Sequence, residues 1–180
     1  VTEVTEKYNY PVKGEWWDVI NRRQPDGTIK SEVTPVTKNT IVLPVRTLIA
    51  SVMKIHAGYT GINFHALGQG DIAWDASLPA ATENDSPLTA EEYRKAPTLI
   101  EWIDAGTGDP TLTPSRIIRV KTIFDFAEMN QAGVYIREQG LFGGTATATA
   151  DSGEMVNNIR HKKIWKDKDV ELVRYIKLEF

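Results

Sequence analysis

Hydrophobic and polar residues alternate near the end of the chain. Val170, Leu172, Ile176, Leu178 and Phe180 fall on one side, and Glu171, Lys177 and Glu179 on the other. This is the period of two of a half-buried β-strand. With the preceding run MVNNIRHKKIW it predicts two long strands joined by a charged turn, a terminal hairpin. The same period predicts strands at Glu15 to Arg22 and Thr28 to Val36, flanking QPDG, where Pro25 presets a turn and Gly27 accepts positive φ. Further strands are predicted at Ile62 to Gly68, Leu99 to Ala105 and Arg116 to Phe126. Another, starting at Val134 and running to Glu138, ends at Gly140. In the Arg116 to Phe126 strand, Ile118, Val120, Phe124 and Phe126 oppose Arg119, Lys121 and Asp125, the pattern of a sheet with one wet face.

The period lengthens to about 3.6 only after Thr40, where Val45, Leu48, Ile49, Val52 and Met53 share a face and Pro44 suits a first turn. This predicts a helix over 41–58, capped at Gly58. Residues 71–97 read as a long polar loop, with a helical turn at LTAEEYRKA capped by Thr89 and Glu92. The small-residue run TATATADSG reads as a loop at a sheet edge, because strands flank it. The start of the chain has no hydrophobic period, and 1–13 is expected to be an arm that is extended or disordered until it docks. The fold expected is therefore mainly β: one β-sandwich-like domain over 14–180, with a hairpin at 14–40, one packed α-helix, the long loop and the extended N-terminal arm.

Composition narrows the functional classes. The chain has 180 residues and a net charge of −3 with both signs interspersed, so nucleic acid and anionic membranes are not favoured as partners. It has no cysteine, so there is no disulfide framework, thiolate metal site or Cys nucleophile. No apolar run approaches the roughly 20 residues of a membrane span. The first residues lack the basic and apolar parts of a signal peptide. The expectation is a protein made soluble that, if it leaves a cell, leaves by a route other than a signal peptide, such as lysis.

His56, His65 and His161 are the only histidines, and none has a metal-ligand spacing; structural roles are expected. Asp104 with Asp109, or Asp71 with Asp75, would suit an acid and base pair for glycoside cleavage, but turn capping is the commoner role of Asp beside Gly. Gly68 and Gly70 begin a phosphate-binding fingerprint whose third glycine and helix are missing. The basic cluster at 160–163 alternates faces on a strand, so a solvated or partner-paired surface is expected there. Neither a catalytic residue nor a cofactor or metal site is assigned.

The aromatics carry the stronger argument. Five tryptophans and five phenylalanines are many for one core of this size. Large aromatics also anchor interfaces. Adjacent Trp16 and Trp17 must face opposite sides of a strand. The interface candidates are Trp16, Trp17, Trp74, Tyr8, Tyr10 and Tyr93.

Taken in order, these elements carry a resemblance. The DG hairpin, the helix NTIVLPVRTLIASVMK, the strand INFHALGQGD, the long loop ending EEYRKAP, the alternating strand, the run IREQGLFGG and the closing strands with their KDKD turn are similar to a bacteriophage tail-fibre or baseplate-attachment family. The likeness spans roughly Glu15 to Phe180, with HALGQGD where the family pattern has a GTG turn. It implies a non-catalytic virion protein, an adaptor or fibre-base component of the tail or baseplate, which binds other tail, baseplate or neck proteins. Three or six copies are implied, with the arm and the long loop ordering on a neighbouring subunit. A collar or neck fibre anchor is the nearest alternative. A carbohydrate-binding module that recognises a host-surface glycan is the alternative from another class.

Overall fold

Alternation dominates the chain, and so do strands. A computed structural model of the protein describes residues 12–129 and 134–180. The interface candidates Tyr8 and Tyr10, and the arm up to residue 11, lie outside the described residues. The elements run β1 (Lys13–Arg23), β2 (Ile29–Val33), β3 (Thr37–Lys38), β4 (Thr40–Ile41), α1 (Pro44–Met53) and β5 (Thr60–Gly68). A 3₁₀ turn (Ile72–Asp75) precedes β6 (Glu91–Lys95), β7 (Leu99–Ile103), β8 (Pro110–Thr111) and β9 (Ile117–Phe124). The long strands β10 (Tyr135–Gly144), β11 (Glu154–Trp165) and β12 (Val170–Glu179) close the order.

They form two sheets of antiparallel pairs. The larger runs β2-β1-β12-β9-β7-β8 with β3 beside β1, and the smaller runs β4-β11-β10-β5-β6. The expected β-sandwich-like domain with one packed helix is what the chain forms. Between the sheets lie two apolar clusters, one around Trp16, Val120, Leu141, Ile176 and Leu178, the other around Ile20, Leu67, Phe124, Ile136 and Leu172. Val45 and Leu48 of α1 join the first. A third cluster, with Val42, Ala66, Leu88, Phe142 and Met155, packs against the smaller sheet. From Ile136 to Gly144 every residue of β10 is buried. Small residues permit this: a Cβ on Gly140 would stand 2.8 Å from the Asn157 carbonyl, and one on Gly143 would stand 2.9 Å from a methyl of Leu48.

Five expectations need correction. Residues 40–41 do not begin the helix; as β4 they pair with Asn157 and Asn158 of β11, so α1 starts at Pro44. It also ends before Gly58. The Ile55 amide donates to the Val52 carbonyl and the His56 amide to the Ser51 carbonyl, the two bonds of a Schellman cap. Ile55 thereby occupies the left-handed position at φ 55°, which a β-branched side chain resists. Since Ile55 is 90% exposed, Ile55→Gly is expected to raise unfolding stability by about 1 kcal/mol. Urea denaturation checks this, and an unchanged or lower midpoint would refute it.

The third correction concerns the turn at 88–96. Its residues are good helix formers, yet Glu91–Lys95 adds to the edge of β5, with Ala66 opposite Arg94 and Leu67 opposite Tyr93. Tertiary pairing overrides propensity there. Buried Arg94 forms an ion pair with Glu91 and donates to the Thr147 and Ser152 carbonyls. Thr89 is no helix cap, because its amide and that of Ala90 donate to the Glu138 carboxylate.

The remaining two lie near the C-terminal end. The strand expected to stop at Gly140 continues to Gly144. The last two strands do not form a hairpin: β11 belongs to the smaller sheet and β12 to the larger. The charged turn is a crossing between sheets. Lys166 holds it from inside, donating from Nζ to the carbonyls of Asp125 (2.8 Å), Glu128 (2.6 Å) and Asp167 (3.1 Å).

Candidate functional site

Strand register decides which side chains share a surface, since residues directly opposite on antiparallel strands point the same way. On the solvent side of the larger sheet one cross-strand row reads Val33, Val19, Val173, Ile123. The next reads Trp17, Tyr175, Lys121, Leu99. A third, Glu15, Lys177, Arg119, Glu101, is charged. Lys177 reaches Glu15 at 3.3 Å and Arg119 reaches Glu101 at 2.7 Å. On the other flank Asn21 donates to Glu171 at 2.7 Å and accepts from Ser31 at 2.6 Å. The result is an apolar centre with a paired polar rim, the anatomy of a protein-docking face. Val33 is 66% exposed and Leu99 45%.

An aromatic pair stands at its centre. Trp17 and Tyr175 stack with centroids 5.1 Å apart and planes at 6°. Cations from Arg119 and Lys121 lie 5.9 Å and 5.7 Å from the Tyr175 ring centre. Each ring therefore turns one face to the other.

The other candidates are scattered. Trp16 faces inward and is buried, tilted against His161. Trp74 is half-buried on the long loop, its ring 4.8 Å from the Arg160 guanidinium. Gly70 makes room for it, since a Cβ there would stand 2.3 Å from the indole. Tyr93 meets Phe124 edge-on and donates to Glu128. The basic cluster at 160–163 serves the chain's own loop. Arg160 pairs with Asp85 at 2.8 Å, and Lys163, with Arg137, holds Asp75. Those two cations keep the Asp75 carboxyl well below the usual carboxylate range. Much of the long loop is thus fastened to β10 and β11 without a neighbouring subunit.

The aspartates weighed for glycoside cleavage are engaged locally. Asp104 accepts from the amides of Gly106 and Thr107, which lowers its pKa, and Asp71 caps the 3₁₀ turn through the Ala73 amide. His56 stands exposed at the helix end, edge-on to Tyr59. Among the described residues, no group of three or more His, Cys, Asp or Glu side chains is placed to hold a metal ion, and no helix is long and apolar enough to cross a membrane.

The strongest electrostatics lie inside. Asp18, Arg174 and Thr122 form one inward row across β1, β12 and β9, flanked by the row Ile20–Leu172–Phe124 and the row Trp16–Ile176–Val120. Opposite them stand His65, Gln139 and His161. Arg174 Nη2 lies 3.3 Å from Asp18 Oδ2 and donates to His161 Nε2 at 2.9 Å. The remaining His161 nitrogen, Nδ1, donates to the Lys162 carbonyl at 2.8 Å, so the ring is neutral with its proton on Nδ1. His65 bridges Thr122 and Gln139, each at 2.8 Å. Burial, reinforced by the Arg174 charge, lowers both histidine pKa values to about 3. Burial outweighs Arg174 at Asp18 and raises it to about 6. Among the described residues, Asp18 Oδ1 and the Nε and Nη1 of Arg174 have no hydrogen-bond partner.

Sequence reading missed this belt, although one signal was present: residue 174 has the inward parity of Leu172 and Ile176, and residue 18 that of Trp16 and Ile20. The belt is sealed, whereas the rows around Trp17 and Tyr175 face solvent and are the candidate site. Compared with protein-family models, with curated proteins and with solved structures, the chain matches none, so its function is read from its own surfaces.

Proposed function

We propose that the chain is a non-catalytic structural component of a bacteriophage particle, an adaptor or fibre-base piece of the tail or baseplate. It is made in the host cytoplasm and resides in the virion, in three or six copies around a symmetry axis. The observation that carries the docking role is the apolar centre and paired rim on the outer face of the larger sheet. The order of elements, similar to the tail-fibre and baseplate-attachment family, supports the setting. A rigid sheet loses little conformational entropy when it docks, so the contact area is translated efficiently into affinity. The stacked pair suits a protein better than a sugar, because Trp17 and Tyr175 occupy one face of each other and cations flank the Tyr175 ring.

Immunogold labelling of intact and disassembled particles, with an antibody to the exposed 76–80 segment, tests the setting. Label at the tail tip supports the adaptor reading, label at the neck selects a collar anchor, and absence from both preparations overturns the virion reading. The docking face is tested by Val33→Asp. A substitution this exposed is expected to change folding stability by no more than about 0.5 kcal/mol. A charge placed on the apolar row is expected to reduce incorporation into particles more than about tenfold, the effect of losing a hot-spot contact. Normal incorporation would remove this face from the assembly.

A further inference from the structure

The inward face of the larger sheet continues past the sandwich. Its third inward row reads Trp16, Ile176, Val120, Ile100, and its fourth Gly14, Leu178, Ile118, Trp102. The first three members of the third row lie between the sheets, yet Ile100 is 43% exposed and Trp102 41%. Ile100 and Trp102, with Thr111, Leu112 and Ile118, line an apolar groove of about 520 Å³. Leu112 is 96% exposed. Phe180, 46% exposed, stands at the same edge, its amide donating to the Arg116 carbonyl.

We propose that this groove receives the chain's own N-terminal segment, residues 1–11. The segment joins the fold at the right place. Lys13 pairs with Glu179 and Glu179 with Ile117, so β1 begins at the edge of the sheet where Phe180, Ile118 and Trp102 stand. From β1 to β7 is three strand spacings, about 14 Å. Eleven residues span up to about 36 Å when extended. Pro11, just before β1, has no amide hydrogen to donate to a strand ladder. The sequence then offers Tyr10 and Tyr8 in the same phase as Val12, with Val4 and Val1 beyond, which is apolar material for an apolar groove. Tethering favours the chain's own segment over a free partner, because a short linker sets an effective concentration in the millimolar range. This inference stands apart from the virion reading.

The absence of cysteine makes the test clean. Tyr8→Cys with Leu112→Cys is expected to form an intrachain disulfide under mild oxidation at least tenfold faster than Tyr8→Cys with Lys38→Cys. Lys38 is an exposed control on β3, opposite Glu15 and so nearer to the start of β1 than the groove is. Equal rates for the two pairs would overturn the proposal. So would disulfide that is chiefly interchain, since the groove would then belong to a second copy. In the unmodified sequence, deleting residues 1–11 is expected to speed amide exchange in 99–113 at least threefold, and unchanged exchange would overturn docking independently of any cysteine variant.

Discussion

Arg174→Met is expected to lower the unfolding free energy by about 3–5 kcal/mol, the range for removing one partner of a buried ion pair. Arg174 and Asp18 are both fully buried, and the substitution strands a carboxyl group among apolar rows. Replacing both partners has the opposite logic. The pair is poorly satisfied, with Nε and Nη1 of Arg174 and Oδ1 of Asp18 unbonded among the described residues. Desolvation therefore outweighs much of the attraction. Asp18→Leu with Arg174→Met is expected to match or exceed the parent in stability, within about 1–4 kcal/mol. Urea titrations of the two single variants and the double variant close the cycle. A loss under about 1 kcal/mol in Arg174→Met would mean that the belt is hydrated and its charges are not truly desolvated.

Stability is also expected to fall on acidification between pH 6 and 5, before most carboxylates titrate. His65 and His161 have folded-state pKa values near 3, against 6.5 for an ordinary imidazole. Below pH 6.5 the unfolded chain gains protons on both that the native state refuses, so each histidine favours unfolding as pH falls towards 3. Asp18 acts in the other direction. Its folded pKa near 6 exceeds the ordinary 3.8, so between those values the native state holds the extra proton. Two protons against one leaves a net of about one, which corresponds to about 1.4 kcal/mol per pH unit. His161→Gln keeps an acceptor for Arg174 and removes one titration. The curve should then be nearly flat from pH 6 to 5. An unchanged slope would show that His161 already carries its proton in the folded state.

Most strands were legible because burial on one face writes a period of two into the sequence. The QPDG hairpin, β5, β7, β9 and β12 all followed from it. The failures have physical causes. Glu91–Lys95 has helical propensity, and only the free edge of β5 makes it a strand. Gly140 looks like a terminator, yet it sits inside β10 because a backbone oxygen crosses where its Cβ would be. Pairing between strands far apart in sequence leaves no local signal, so the final two strands read as a hairpin although they belong to different sheets. The docking face is the same kind of object. Trp17 was visible as a candidate, but Val33, Val173, Tyr175 and Leu99 join it only through register across four strand pairings. Arg174 and Asp18 were hidden because charged residues are assumed to face water, although their parity along β12 and β1 points inward.

The position of β12 has a consequence for the order of events during synthesis. It is an inner strand of the larger sheet, between β1 and β9, and it closes contacts such as Lys177 with Glu15, 162 residues apart in the chain. Strands β1 and β9 thus leave the ribosome long before the strand that joins them. Until residues 170–179 emerge, each exposes an unpaired edge and an apolar row that invite association with other chains. Folding should accordingly be slow, limited by closing that longest loop, and the nascent chain should be the form of this protein most in need of a chaperone.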